Sequence, residues 1–448
     1  MLQNVGHLDC YTQHLARMAE QTNVVIESDI CNAQGAVIVP AGRHFDASMA
    51  ERLDAHKLLK PIDQCIAISH SLWSQELLQL FQVFIERHEE VAVFHHQCNL
   101  DSVLVEACDY YETFPLLVQK LTVLKSAFPS QFKKSLFCAY MSMAIANRMG
   151  ASRVDSINVF IAGLVHDVGI LHLPPELILD KGEYKPEQWK AMQQHTVIGH
   201  DLLKQVDELP TGISRAVLEH HERFDGSGYP YSKRGSELGM TGQIIGMADT
   251  CLALYKRELA PKKLGFDALL PILQLNPDIY CRRVFSATVE LIRDVPWPQK
   301  RVYSDDEMPE VISRLMVENE GIQHDYCVLY GLVTSIKPHL PADKRAYMLT
   351  RMAERIHQCL LSSGIMQSEH NEWMVISCGA QQTQDFLAIE RLEVMYGEIK
   401  WQIRQLKRLL YLLWKNQQFK HQALHKQVQQ GLWQIANYHK QHQLASLH

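Results

Sequence analysis

His220-His221-Glu222-Arg223-Phe224-Asp225-Gly226-Ser227-Gly228-Tyr229-Pro230 decides how this 448-residue chain is read. Two adjacent imidazoles stand at the end of a predicted helical stretch, 213–222, and a glycine-rich loop follows at once. Neutral imidazoles and carboxylates are the side chains that hold a divalent metal ion and let it activate water. Gly226 and Gly228 permit backbone angles closed to other residues, and Pro230 fixes the exit of the loop. The segment 225–230 is therefore expected to be a shaped surface loop beside a site, with a plain turn between helices as the alternative.

Further ligand-type residues lie on either side. His166-Asp167 ends the apolar run 161–165, and Gly169 is positioned to stop that helix, so that both side chains emerge at a helix terminus. His195 lies on a predicted helix over 186–206. Asp249 follows the apolar run 244–248, a context in which a carboxylate needs hydrogen bonds or a cation. An isolated His-Asp pair proves little, but four separated helices that all present such groups define a candidate metal centre. His172 and His200 are read as ordinary histidines, exposed or hydrogen-bonded.

The order His166-Asp167-Val168-Gly169, then His195 with Ile198-Gly199, then His220-His221-Glu222 and Asp225-Gly226-Ser227-Gly228-Tyr229-Pro230, then Ala248-Asp249, resembles the HD-GYP branch of the HD phosphohydrolase superfamily. The segment 36–57 also resembles the small module that often precedes such domains. The resemblance implies an all-helical domain with a divalent-metal centre, of two iron or manganese ions or of one alone, that hydrolyses cyclic di-GMP or a related cyclic dinucleotide. Asp167 would be the catalytic carboxylate bridging the metals. One ion would be held by Asp167, His195, His220 and His221; the other by His166, Asp167, Asp249 and a histidine from an upstream helix. A metal-bridging hydroxide would attack phosphorus. The loop Asp225, Gly226, Gly228, Tyr229 and Pro230 would line the substrate pocket or meet a signalling protein.

The departures from the family pattern fall on the chemistry. The upstream histidine position holds Lys134, before Ser135, and a protonated lysine does not ligate a cation. Ile170 replaces the lysine that meets substrate phosphate. Leu252 stands where the family continues with an acidic residue; Arg257, Lys262 and Lys263 are candidate replacements for the arginine that follows. Ser130 stands where some members carry a third-metal carboxylate, which leaves two metals as the ceiling. Two functions follow: a phosphodiesterase, or a catalytically impaired HD-GYP module that senses nucleotide or binds protein partners.

The remaining sequence frames this domain. A net charge of -6 without a basic block excludes a dedicated nucleic-acid surface. The 11 scattered cysteines, with no CxxC pair, read as reduced thiols of a cytoplasmic protein. No apolar run is long enough for membrane insertion to be expected. The expected fold is mainly α: a small α+β module over 1–70, a helical bridge over 71–128, the HD-GYP-like domain over 129–294, a proline-rich linker over 295–309 and a helical, coiled-coil-like region over 310–448. In the first module, Asp46 is predicted to cap a helix over 46–56. Ile389, Leu392, Tyr396, Ile399, Ile403, Leu406, Leu410 and Leu413 form a heptad seam over 389–413, to be covered either within the chain or by a homodimer partner.

Overall fold

The computed structural model describes residues 10–179, 184–275, 277–297, 301–340, 343–380, 383–416 and 422–445. The chain divides into two compact units, Met1–Ala253 with Asp278–Pro296, and Leu254–Pro277 with Trp297–His448. The first unit gathers the expected α+β module, bridge and most of the HD-type segment. Residues 254–277, expected within the HD-type domain, fall in the second unit because the helix Leu269–Leu273 packs on the long helix Thr383–Lys415.

The first unit opens with the helix Tyr11–Ala19, whose Tyr11 and Leu15 are fully buried. Val24–Ile26 pairs antiparallel with Ile66–Ile68 in the register Val25 to Ala67, and Ile30–Cys31 pairs with Val37–Val39. These strands are short because their β-branched runs end at turns, one of which uses Gly42 at φ +81°. Asp46 caps the helix Ala47–Asp54: its Oδ1 accepts the Met49 N–H at 2.9 Å, as the sequence predicts. Four helices follow, Ser74–Arg87, Glu89–Cys98, Asp101–Glu112 and Pro115–Ala127. Leu77 and Phe81, four residues apart, are the buried stripe of the first.

The helix Pro129–Arg148 begins with proline at its first turn, where no N–H partner is lost. It packs along Arg153–Val165, which Ser152 caps by accepting the Asp155 N–H at 3.1 Å. Together with the residues that follow, this second helix forms a 20-residue segment, Arg153–His172, that is apolar enough to cross a membrane by length and composition. Within it, 78% of the most apolar window is buried inside the protein, the pattern of a core helix. The helix predicted over 186–206 is two helices, Pro186–Met192 and Gln194–Leu203, which meet at Gln193.

The second unit is helical, with Met308–Ile336, Lys344–Ser362, Ser368–Ala380, Thr383–Lys415 and Gln422–Ala445. The heptad seam lies on Thr383–Lys415. Ile389, Tyr396, Ile399, Ile403, Leu406, Leu410 and Leu413 are buried in one core with Leu315, Leu329 and Ile356 of the same chain. The seam is thus covered within the chain, and the homodimer expectation loses the surface on which it was based.

Candidate metal centre

His166 and Asp167 sit where the helix Arg153–Val165 gives way to a tight turn, Val168–His172. The helix ends before Gly169, so that glycine does not stop it. Gly169 is instead a point of close approach. A Cβ there would lie 2.0 Å from the His195 carbonyl oxygen and 2.7 Å from the Gly199 nitrogen. The absent side chain lets the helix Gln194–Leu203 press against the turn and brings His195 onto Asp167. His220 and His221 follow the helix Thr211–Glu219, and Asp249 lies on Met240–Leu254.

These side chains converge. One ligand-type atom each from Asp167, His195, His220 and His221 lies within 4.8 Å of the others. The Nε2 atoms of His166, His195 and His220 stand 3.1, 3.4 and 3.7 Å from the Asp167 carboxylate. In each of these rings Nδ1 donates at 2.7 Å to the carbonyl oxygen three residues earlier, of Gly163, Met192 and Val217. A carbonyl only accepts, so each ring carries a proton on Nδ1, and in the neutral rings of His195 and His220 the Nε2 lone pair faces inward. The Nε2 atoms of His195 and His220 consequently face each other at 3.4 Å, a repulsive arrangement in a buried site unless a cation lies between them. The donor set fits one divalent transition-metal ion.

The charges agree with this arrangement. Burial pushes the His195 imidazole down to about 4, against opposition from Asp167. Burial lowers His220 as well, and burial with the neighbouring His220 and His195 holds His221 well below its ordinary value. Neutral rings are the ligating form. Burial alone would raise Asp167, but His166 and Lys134 beside it hold its carboxyl well below the usual carboxylate range. Asp249 is lowered in the same sense: burial opposes, while Lys134 and His166 prevail.

A second cluster, Cys138, His166 and Asp249, lies on the other side of Asp167. His166 Nε2 is fully buried there without a hydrogen-bond partner. Lys134 enters this cluster from the helix Pro129–Arg148, with Nζ 2.9 Å from Asp167 Oδ2 and 2.9 Å from Asp249 Oδ1. Burial would lower the ammonium, but the two carboxylates hold it well above the ordinary lysine value. The residues here do not fit a second metal ion while that ammonium stands between the carboxylates. Sequence reasoning missed Cys138, although its signal was available: it lies four residues after Lys134, on the same helix face.

The loop is built as its composition predicts. Gly226 has φ +80°, and a Cβ on Gly228 would lie 2.4 Å from the Arg223 nitrogen. Asp225 Oδ1 accepts the Ser227 N–H at 3.0 Å. The buried Glu222 carboxylate accepts the backbone N–H groups of Tyr231 and Lys233, which ties the loop to the histidine pair. The Tyr229–Pro230 peptide is cis, and the Tyr229 ring stacks on His221 at 4.7 Å.

Other candidates are otherwise engaged. Ile170 is 1% exposed and has no polar atom in its side chain to offer a ligand. Arg257 pairs with Glu258 and Glu398 and lies over the Trp401 ring, and Lys262 donates to the Glu393 carbonyl, all within the second unit. His172 stacks on Tyr11 and lies 3.4 Å from Lys120 Nζ; His200 Nδ1 donates to the Ser214 carbonyl at 2.8 Å. Ser130 is exposed.

Residues 118–278 match the model of the HD domain family. A cyclic di-GMP phosphodiesterase from Thermotoga maritima is 33% identical over 171 residues, which are 37% of this chain and 46% of that protein. A 3'3'-cGAMP-specific phosphodiesterase from Vibrio cholerae is 22% identical over 267 residues, 54% of this chain and 61% of that protein. The chain thus spans about half the length of the curated relatives it matches. A solved HDG"Y"P protein from Bdellovibrio bacteriovorus aligns over 61% of this chain and 94% of its own at 13% identity, with a TM-score of 0.33. This chain carries an HD domain, the class of helical metal-dependent phosphohydrolases. Residues 118–278 are thus similar to HD domains, and the relatives they match are named as cyclic di-GMP and 3'3'-cGAMP phosphodiesterases.

Proposed function

We propose that this chain is a metal-dependent phosphodiesterase that opens a cyclic dinucleotide, cyclic di-GMP or a related one. The observation that carries the reading is the convergence of Asp167, His195, His220 and His221, with the lone pairs of two imidazoles turned toward each other by backbone carbonyls. These four residues hold one divalent ion, and a nitrogen-rich set with one carboxylate suits iron or manganese. When bound, the ion activates water and offsets charge on the phosphodiester. Asp167 and Asp249 are ionised at neutral pH and His195 is neutral, the states needed for ligation.

The substrate class follows the relatives, which are named for cyclic di-GMP and 3'3'-cGAMP. The Asp225–Pro230 segment, with Tyr229 stacked on His221, forms the wall that meets nucleotide or a signalling protein. No disulfide joins the ten described cysteines, in keeping with a reducing, cytoplasmic setting. A homodimer through the 389–413 seam is not part of this reading, since those side chains are buried against their own chain.

Ile170 favours a second reading, a nucleotide-sensing module with impaired hydrolysis, because a buried isoleucine supplies no donor to phosphate. Anaerobically prepared protein incubated with cyclic di-GMP and 3'3'-cGAMP, with Asp167→Ala as the control, separates the two. Linear product from the parent and a loss of at least 100-fold in the variant are expected, since one metal-anchoring carboxylate contributes roughly 3 kcal/mol of transition-state stabilisation. Nucleotide binding without product from the parent would leave the sensor reading in its place.

A further inference from the structure

The position expected for a second metal ion is bounded by Asp167 Oδ2, Asp249 Oδ1, Cys138 and the buried His166 Nε2, which lies 3.1 Å from Asp167 Oδ2 and has no hydrogen-bond partner. Lys134 Nζ lies 2.9 Å from both carboxylate oxygens. A divalent ion bound to the same oxygens would sit about 2.0–2.2 Å from each, in the volume the ammonium fills. Two cations cannot share that volume, by contact distance as well as by charge.

The side chains around Lys134 are arranged for a cation. Asp167 and Asp249 are 5% and 10% exposed, and each would be an uncompensated buried charge if Lys134 were neutral or absent. Cys138 follows Lys134 by one helical turn and closes the cluster from the same face. An ammonium has three donors. Two meet Asp167 and Asp249, which leaves one N–H for a further acceptor, and the side chain as a whole is 21% exposed.

We infer that the Lys134 ammonium takes the place of the second metal ion: it bridges Asp167 and Asp249, limits the centre to one divalent ion per chain, and offers its remaining N–H to a phosphate oxygen of the substrate. The ion count stands on the geometry alone; the phosphate contact rests on the phosphodiesterase reading. The substitution preserves the bridge between the carboxylates and replaces a double charge by a single one. Lys134 would thus be a charge-stabilising residue for the developing phosphorane oxygen, the work otherwise done by an ion.

The test loads metal-free protein with Mn²⁺ under anaerobic conditions, removes excess ion, and measures manganese per chain together with the electron paramagnetic resonance signal. The parent is expected to retain one ion with the signal of isolated Mn²⁺. Lys134→His, which restores a neutral ligand, is expected to retain two with an exchange-coupled signal. Lys134→Met, which removes the charge at similar length, is expected to admit a second ion at higher Mn²⁺ concentration and guards against misfolding of the first variant. Two ions in the parent, or a single ion in both folded variants, overturns the inference while leaving the phosphodiesterase reading standing. No ion in the folded parent overturns both. One ion in the parent without hydrolysis of any cyclic dinucleotide upholds the ion count and overturns the phosphate role together with the phosphodiesterase reading.

Discussion

Each of His166, His195 and His220 gives its Nδ1 proton to a carbonyl three residues back and turns its other nitrogen toward Asp167. The identity of these residues was legible in the sequence, because metal chemistry restricts the side chains that can serve. Their tautomers were not, because they depend on which backbone carbonyl each ring reaches. The same division applies to Lys134. The departure from the family pattern is visible in the letters, whereas the fit of its ammonium between two carboxylates depends on three elements distant in sequence. The buried histidines predict a pH dependence. His195 titrates at about 4 when folded against 6.5 when exposed, so the unfolded chain binds the extra proton and stability falls as pH drops from about 6.5 to about 4. For metal-free protein, His195 alone removes on the order of 2 kcal/mol between pH 7 and pH 5, to which the lowered His220 and His221 add. Urea unfolding at the two pH values measures this; equal or greater stability at pH 5 would contradict neutral burial of the rings.

Among elements, capping signals and apolar periodicity were the readable part. Asp46 caps the helix Ala47–Asp54, and the stripe of Leu77 and Phe81 is buried. The break at Gln193 escaped the sequence reading, since no glycine or proline marks it and both flanking segments carry helical pattern. Gly169 was assigned a role in helix termination because glycine is common there; the close packing it permits becomes visible only when the partner helix is in place. Gly169→Ala is therefore expected to push the helix Gln194–Leu203 away. A Cβ placed 2.0 Å from the His195 carbonyl cannot be accommodated by a side-chain rotation. Overpacking of this kind costs roughly 1–3 kcal/mol, and displacement of His195 should weaken metal binding about 10- to 100-fold. Thermal melting and metal titration of the variant test both effects, and parent-like values in the two assays would show that Gly169 does not set this contact.

At the scale of the whole molecule, short strands among 24–68 and helices from Ser74 onward were legible from patterning, because short β-branched runs and three-and-four spacing are local signals. The division into two compact units was not. Residues 254–277 carry no mark of packing with the helix Thr383–Lys415, which lies more than a hundred residues further along. The heptad seam announced a helix with one buried face but not what would cover it, since an apolar face is the same whether its partner is the same chain or another. Function belongs to this scale too, as the candidate ligands come from the helix Gln194–Leu203, the end of Thr211–Glu219 and the turn after Val165. The most direct test titrates metal-free protein with Fe²⁺ or Mn²⁺ under anaerobic conditions and follows linearisation of a cyclic dinucleotide at each step. Turnover that rises with the first bound ion and saturates at one per chain is predicted; a fully loaded protein that yields no product at any ion ratio would contradict the assignment of this centre as a phosphodiesterase.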